Sequence, residues 1–232
     1  MVVLFVKVIF WDFDGTITYS NSLWSNSTYA ALKEAVPDAL VEFEALRKYM
    51  AFGFTWHTPE NDYSNIIGDK WWEFMKRHFV KSYVELGVDL KSATAAAEKV
   101  KGIIIKTENY TVYDDAVDVL QECKNRGYIN VILSNNYPEL SLVLSNLNLL
   151  KYFDDVIVSA NIGYDKPRKE IFEIAKLKYP NAEYYMVGDS INADIKGGSN
   201  AGMTTILVHN GLNGNADYCF DDLHSLIEEC VL

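Results

Sequence analysis

Cysteine and proline are scarce in this chain of 232 residues, which has three of the first and five of the second. Cys123, Cys219 and Cys230 show no C-x-x-C spacing. That excludes a thiolate zinc motif and a disulfide framework, and leaves buried reduced thiols as the expected use. The four histidines, His57, His78, His209 and His224, fall into neither H-x-H nor H-E-x-x-H spacing, so no imidazole metal centre is indicated. Long hydrophobic runs are also missing: nothing approaches the roughly 20 apolar residues that cross a bilayer. The opening MVVLFVKVIF lacks a basic leader and a small-residue cleavage site, and is read as a strand rather than a secretion signal. A cytoplasmic protein with no membrane partner is expected. Positive charge is in deficit, 21 basic against 32 acidic residues for a net charge of −11. Sequence-independent binding to nucleic acid needs a positive surface and is thereby excluded. A small anionic ligand is compatible only where cations gather locally or a metal is bound.

What the chain does have is 49% hydrophobic residues arranged in two distinct patterns. From about residue 18 to 107 the periodicity is helical. SNSTYAALKEAV opens a helix, Pro37 interrupts it, DALVEFEALRKYM resumes it, NIIGDKWWEFMKRHFVKSYVELG is long and amphipathic, and DLKSATAAAEKVKGIIIKT adds another. This predicts a compact insert of about four helices. Beyond residue 113 helix alternates with strand: INVILS, DVIVSA, YYMVGD and TTILVH are the strands, and DYCF a short edge strand. Such alternation predicts an α/β fold with a parallel sheet, right-handed crossovers and helices on both faces. The first strand, residues 6 to 11, must join that sheet across the insert.

Open parallel sheets bind ligands at the carboxyl ends of their strands, where strand order reverses. The predicted strand ends carry Asp12, with Asp14 two residues on, then Ser134 and Asn135, then Asp189; Lys166 lies in the loop after DVIVSA. Each has an ordinary explanation. Asp-Gly is a common turn signal, Ser134 would cap the next helix, and Lys166 would be a solvated loop cation. Their convergence on one edge favours a site. Trp24, Arg47, Trp56, His57, Trp71 and Trp72 are candidate substrate contacts from the insert, although aromatics at helical spacing are more often core.

These residues resemble the haloacid dehalogenase superfamily over nearly the whole chain outside the insert. D-x-D-G-T is present as Asp12-Phe13-Asp14-Gly15-Thr16, a strand ending in Ser or Thr as VILSNN with Ser134, a lysine before proline as Lys166-Pro167, and the acidic motif as VGDSINADIKGG with Asp189 and Asp194. The resemblance implies a Rossmann-like catalytic core, residues 1–17 and 108–232, with a helical cap domain, 18–107, inserted after the first strand. The insert is similar to that of the phosphoglycolate phosphatase-like subgroup. One departure stands out: many relatives carry an acidic residue five positions after the second aspartate, where this chain has Tyr19.

The implied activity is Mg²⁺-dependent hydrolysis of small-molecule phosphate monoesters. Asp12 would be the nucleophile, forming an aspartyl-phosphate, and Asp14 the general acid and base. Thr16, Ser134, Asn135 and Lys166 would hold the substrate or position the acid. Asp12, Asp189 and the backbone carbonyl of Asp14 would ligate Mg²⁺, a hard cation that favours oxygen donors. Asp194 is expected just outside the metal, anchoring the loop through hydrogen bonds. A sugar phosphomutase would use the same residues. A dehalogenase is disfavoured because its family pattern replaces the second aspartate. A phosphate-accepting receiver is about half this length and takes its aspartate from the third strand; an inactive binding protein would retain the catalytic residues without need.

Overall fold

A computed structural model describes residues 6–211, 214–229 and 232. Six strands form one parallel sheet: β1 (Lys7–Trp11), β2 (Ile129–Ser134), β3 (Asp155–Val158), β4 (Glu183–Gly188), β5 (Thr204–Val208) and β6 (Tyr218–Phe220), in the order β3-β2-β1-β4-β5-β6. The predicted edge strand at DYCF is β6.

β1 lies inside the sheet and pairs on both sides, Trp11 opposite Ile132 of β2 and Val187 of β4. Its side chains alternate between faces with the period of two that a strand imposes. Ile9 and Trp11 pack into the larger hydrophobic cluster, Val8 and Phe10 into a second cluster with Phe172 and Met186. All four are 0% exposed, so KVIFW reads as a continuous apolar run because both faces are covered. The chain runs from β1 outward through β2 to β3, then recrosses to lay β4 on the other side of β1. The switch point is therefore the carboxyl end of β1, where Asp12 begins.

Between β1 and α5 (Ala116–Asn125) lie the four helices of the insert: α1 (Leu23–Ala35), α2 (Phe43–Met50), α3 (Asp69–Glu85) and α4 (Leu90–Ile104). Asp89 caps α4, accepting from the backbone N–H groups of Lys91 and Ser92. Two of these helices are shorter than their sequence pattern predicts. α2 begins only at Phe43, because after Pro37 the chain loops past Ala39, whose carbonyl accepts 2.6 Å from Lys33 Nζ. α3 begins at Asp69 rather than near Asn65, because Gly68 sits at φ 59°, ψ −128°, outside helical space. There its N–H donates to Ala160 O at 2.9 Å, and Tyr63 N donates to Gly163 O at 3.0 Å. Tertiary docking of this segment on the sheet-bearing part of the chain overrides its helical pattern.

The remaining helices are α6 (Leu140–Asn146), α7 (Ser159–Ile162), α8 (Lys169–Leu177), α9 (Gly197–Asn200) and α10 (His224–Glu228), with a wide π-type turn at Ile191–Lys196. DVIVSA is a strand only as far as Val158, since Ser159 already starts α7. The two chain segments that join insert and sheet pair with each other: Tyr113 N donates to Ile17 O at 3.0 Å and Tyr19 N to Thr111 O at 2.9 Å. Tyr19, the departure from the family pattern, stacks against Tyr113 at 3.8 Å, and Tyr113 against His209 at 3.8 Å. Cys123 is buried as expected, Cys219 is exposed against expectation on the short edge strand, and Cys230 lies outside the described residues. No helix among the described residues is long and apolar enough to cross a membrane.

Candidate active site

The end of β1 builds a cavity of about 260 Å³. Asp12, Asp14, Ser134, Asn135, Lys166 and Asp189 all line it, although they come from four separate stretches of the chain. Asp12 is 9% exposed, its backbone N–H still paired to Val187 O at 2.9 Å as the ladder ends. Gly15 then turns the chain at φ +88°. A Cβ there would meet Asp189 Oδ2 at 2.3 Å, so glycine is what allows the carboxylate that follows β4 to approach the first loop.

Lys166 is 2% exposed, and its Nζ donates to Asp12 Oδ1 at 2.9 Å and to Asp194 Oδ1 at 2.6 Å. Burial opposes its charge, yet those two carboxylates hold the ammonium above the ordinary lysine range. The solvated-cation reading of Lys166 is thus excluded. Asn135 fixes the lysine's backbone from both sides, accepting from Lys166 N at 2.7 Å and donating to Lys166 O at 2.9 Å. Ser134 ends β2 at 1% exposure, and its hydroxyl has no acceptor among the described residues.

Asp194 lies outside the cavity lining and is 0% exposed. One oxygen holds Lys166 and the other accepts 3.0 Å from Ser190 N, while Ser190 Oγ accepts 3.1 Å from Ala193 N. This reciprocal cap starts the π-type turn. It also aims Lys166, and it occupies both oxygens of Asp194.

Asp14 receives 2.8 Å from Asn136 Nδ2 and a long 3.5 Å contact from Thr18 Oγ1. Asn136 escaped the sequence reading. In the pair Asn135-Asn136 only the second reaches Asp14, and its sole sequence signal was its position after a strand end. Thr16, expected to help substrate or acid, stands apart: it is 0% exposed, does not line the cavity, and its hydroxyl finds no partner. The hydroxyl near Asp14 belongs to Thr18.

Burial, and then the nearby Asp12 charge, push Asp14 up to about 7; burial, then Asp12 and Asp194, do the same to Asp189. Crowding adds to burial. Carboxylate oxygens of Asp12, Asp189 and Asp194 lie within 4.8 Å of one another. At an effective dielectric near 20, like charges at that separation repel by about 3.5 kcal/mol per pair. One ammonium does not balance the group, whereas a hard divalent cation between Asp12 and Asp189 would. The donor set therefore fits Mg²⁺, with Asp194 the member whose oxygens are already engaged.

Of the aromatic candidates, Trp24 and Trp56 line the cavity. Trp71 is core at 1% exposure, and Trp72 donates its indole N–H to Glu139 Oε2 at 2.7 Å. Arg47 is exposed and paired with Glu44, and His57 is turned to its own backbone, its Nδ1 accepting from Phe54 N at 3.3 Å. These last four do not line the cavity.

Comparison with known proteins agrees with this architecture. A phosphoserine phosphatase of Thermus thermophilus is 30% identical over 142 residues, covering 60% of this chain and 56% of the relative. A glyceraldehyde 3-phosphate phosphatase of Methanothermobacter thermautotrophicus is 33% identical over 103 residues, 43% of this chain and 46% of the relative. The matched stretch thus spans about half the length of these curated relatives. Among solved structures, the magnesium-bound HAD-hydrolase YfnB of Bacillus subtilis has a TM-score of 0.73 at 20% identity, covering 98% of this chain and 99% of that one. A HAD phosphatase from Thermococcus onnurineus follows this fold with a TM-score of 0.64 at 24% identity, over 97% and 98% of the two chains. The haloacid dehalogenase-like hydrolase family matches residues 6–202, and the chain is a member of that family.

Proposed function

We propose that this protein is a Mg²⁺-dependent phosphatase acting on small-molecule phosphate monoesters. The supporting observation is the meeting of Asp12, Asp189 and Lys166 at the switch point of the sheet, with Asp14 two residues along from Asp12. Asp12, Asp189 and the backbone carbonyl of Asp14 would hold the cation, which supplies positive charge to draw the phosphate dianion in and steady it. The phosphatase names of the curated relatives point the same way.

Lys166 binds Asp12 through Oδ1 only, so Oδ2 has no hydrogen bond and is available to attack phosphorus. A bond from Oδ2 to phosphorus forms as the ester P–O bond breaks, and Asp14, as a carboxylic acid, gives its proton to the departing alkoxide. Water then attacks the aspartyl-phosphate. Asp14, now a carboxylate, takes the water's proton, the Asp12–phosphorus bond breaks, and inorganic phosphate leaves. A value near 7 suits a group that must give and then take a proton near neutrality. The unpaired Ser134 hydroxyl, the Asn135 backbone N–H and Lys166 would hold the phosphoryl oxygens. Asp194 orients Lys166 from outside. In this reading residues 1–17 and 108–232 are the catalytic core, and 18–107 form a cap that shields the reaction from water.

The test is phosphate release from a panel of small esters, with Mg²⁺ and with excess chelator, for the parent and for Asp12→Asn. Release that needs Mg²⁺ and is lost in Asp12→Asn is expected. Equal rates with and without chelator, or an Asp12→Asn variant as fast as the parent, would overturn the reading.

A further inference from the structure

The insert supplies one wall of the cavity, and that wall is aromatic. Trp24, in the first turn of α1, and Trp56, in the turn at Thr55–His57, stand with ring centroids 5.9 Å apart and planes at 47°. Both are braced from behind. Trp56 stacks on Phe54 at 4.6 Å and on Trp71 at 6.0 Å, and Trp24 packs on Phe54 at 4.7 Å and edge-on to Tyr137 at 5.9 Å. Such bracing holds the two rings in place before any ligand arrives, which lowers the ordering cost of binding.

The indole N–H groups separate these two tryptophans from the others. Trp11 donates to Asn130 Oδ1, Trp71 to Thr55 Oγ1 and Trp72 to Glu139 Oε2. Trp24 and Trp56, the pair at the cavity, are partly exposed and have no acceptor among the described residues. The three buried tryptophans spend that donor inside the protein, whereas the two partly exposed ones leave their indole edges and ring faces open at the cavity.

Charge sets the other limit. Among the described residues Lys166 is the only cation lining the cavity, and it already contacts two carboxylates. The lining is completed by Ser20, Asn21, Leu23, Ser190 and Ala193, all neutral. A second anionic group on the substrate would find no cation there, and would face Asp14 and Asp189. At about 260 Å³ the cavity is small beside the range of about 300–1,000 Å³ common for small-molecule sites, which favours a leaving group of about one ring over a larger one.

We infer that the substrate's leaving group is uncharged and carries a single flat ring, seated against Trp24 and Trp56 as a specificity surface. This rests on the phosphatase reading and narrows it: esters bearing a second carboxylate or phosphate are selected against.

The experiment compares initial rates on benzyl phosphate, glycerol 1-phosphate and 2-phosphoglycolate with Mg²⁺ for the parent, Trp56→Ala and Trp56→Phe. The parent is expected to favour benzyl phosphate over each of the others by about tenfold in kcat/KM, mostly through KM. Trp56→Ala should reduce the benzyl-to-glycerol preference about tenfold, and Trp56→Phe should keep most of it. As a check that needs no variant, benzylphosphonate should inhibit the parent about tenfold more tightly than methylphosphonate. Faster turnover of glycerol 1-phosphate or 2-phosphoglycolate than of benzyl phosphate, or equal inhibition by the two phosphonates, overturns the ring site and leaves the phosphatase reading standing. No phosphate from any of the three esters removes both.

Discussion

The side-chain amide of Asn136 donates 2.8 Å to Asp14 Oδ2, joining the loop after β2 to the loop after β1 across 122 positions of sequence. Asn136 is itself fixed, its Oδ1 accepting 2.9 Å from Tyr137 N. The bond favours the charged form of Asp14 and so restrains the rise that burial imposes. In Asn136→Ala the Asp14 proton should bind more tightly. A bond to a charged group contributes about 1.5 kcal/mol or more, so the alkaline limb of the kcat profile should move up by about one pH unit and kcat fall about tenfold. A pH–rate profile checks this; an unmoved limb would count against Asp14 as the proton carrier.

Lys166 and Asp194 form a buried ion pair, at 2% and 0% exposure, with Asp12 on the other side of the ammonium. Removing one partner leaves an uncompensated charge. Lys166→Met should destabilise the protein by about 3–5 kcal/mol, and adding Asp194→Asn should recover part of that. Phosphatase activity should stay lost in both. Urea unfolding of parent, single and double variants measures the first effect, and a double variant no more stable than the single would contradict the pairing.

Gly15→Ala places a methyl group 2.3 Å from Asp189 Oδ2 at a backbone position with φ +88°. The strain costs about 1–2 kcal/mol, and the carboxylate must swing away. The variant is expected to fold with a lower Tm and to lose most of the thermal shift that Mg²⁺ gives the parent. An unchanged Mg²⁺ shift would separate Asp189 from the cation.

Stability should depend on pH in a way that Mg²⁺ alters. Asp14 and Asp189 are raised from 3.8 to about 7 in the folded chain. Between those values the folded state holds more protons than the unfolded state, so stability falls as pH rises through the window. A bound cation favours the charged carboxylates and opposes that fall. The Tm gain from Mg²⁺ should therefore be larger at about pH 8 than at about pH 5. Lowered values at His57 and His78 act equally with and without the ion, and cancel in the difference. A gain independent of pH would mean that these carboxylates do not face the ion.

The strands and the strand-end residues were legible because a parallel sheet leaves strong marks: short apolar runs such as KVIFW, buried on both faces, each stopping at a polar group. Lys166 and Asp194 were legible by position, but their partnership was not, since 28 residues separate them. Asn136 was missed because adjacent asparagines look alike until the turn decides which one faces Asp14. The late start of α3 was hidden for another reason. NIIG carries a helical pattern, and only its docking at Ala160 and Gly163, almost a hundred residues away, withdraws it from the helix. Thr16 matched a motif while its hydroxyl turned inward.

The paired segments at Ile17–Tyr19 and Thr111–Tyr113 have a mechanical meaning. A two-stranded ribbon flexes readily across its flat face, whereas bending it edgewise would shear its hydrogen bonds. A swing of the four-helix unit on this joint would thereby be channelled about one axis. Thr18 sits in the middle of this pairing and its hydroxyl lies 3.5 Å from Asp14 Oδ1, so the joint between the four-helix insert and the sheet shares a residue with the surroundings of Asp14.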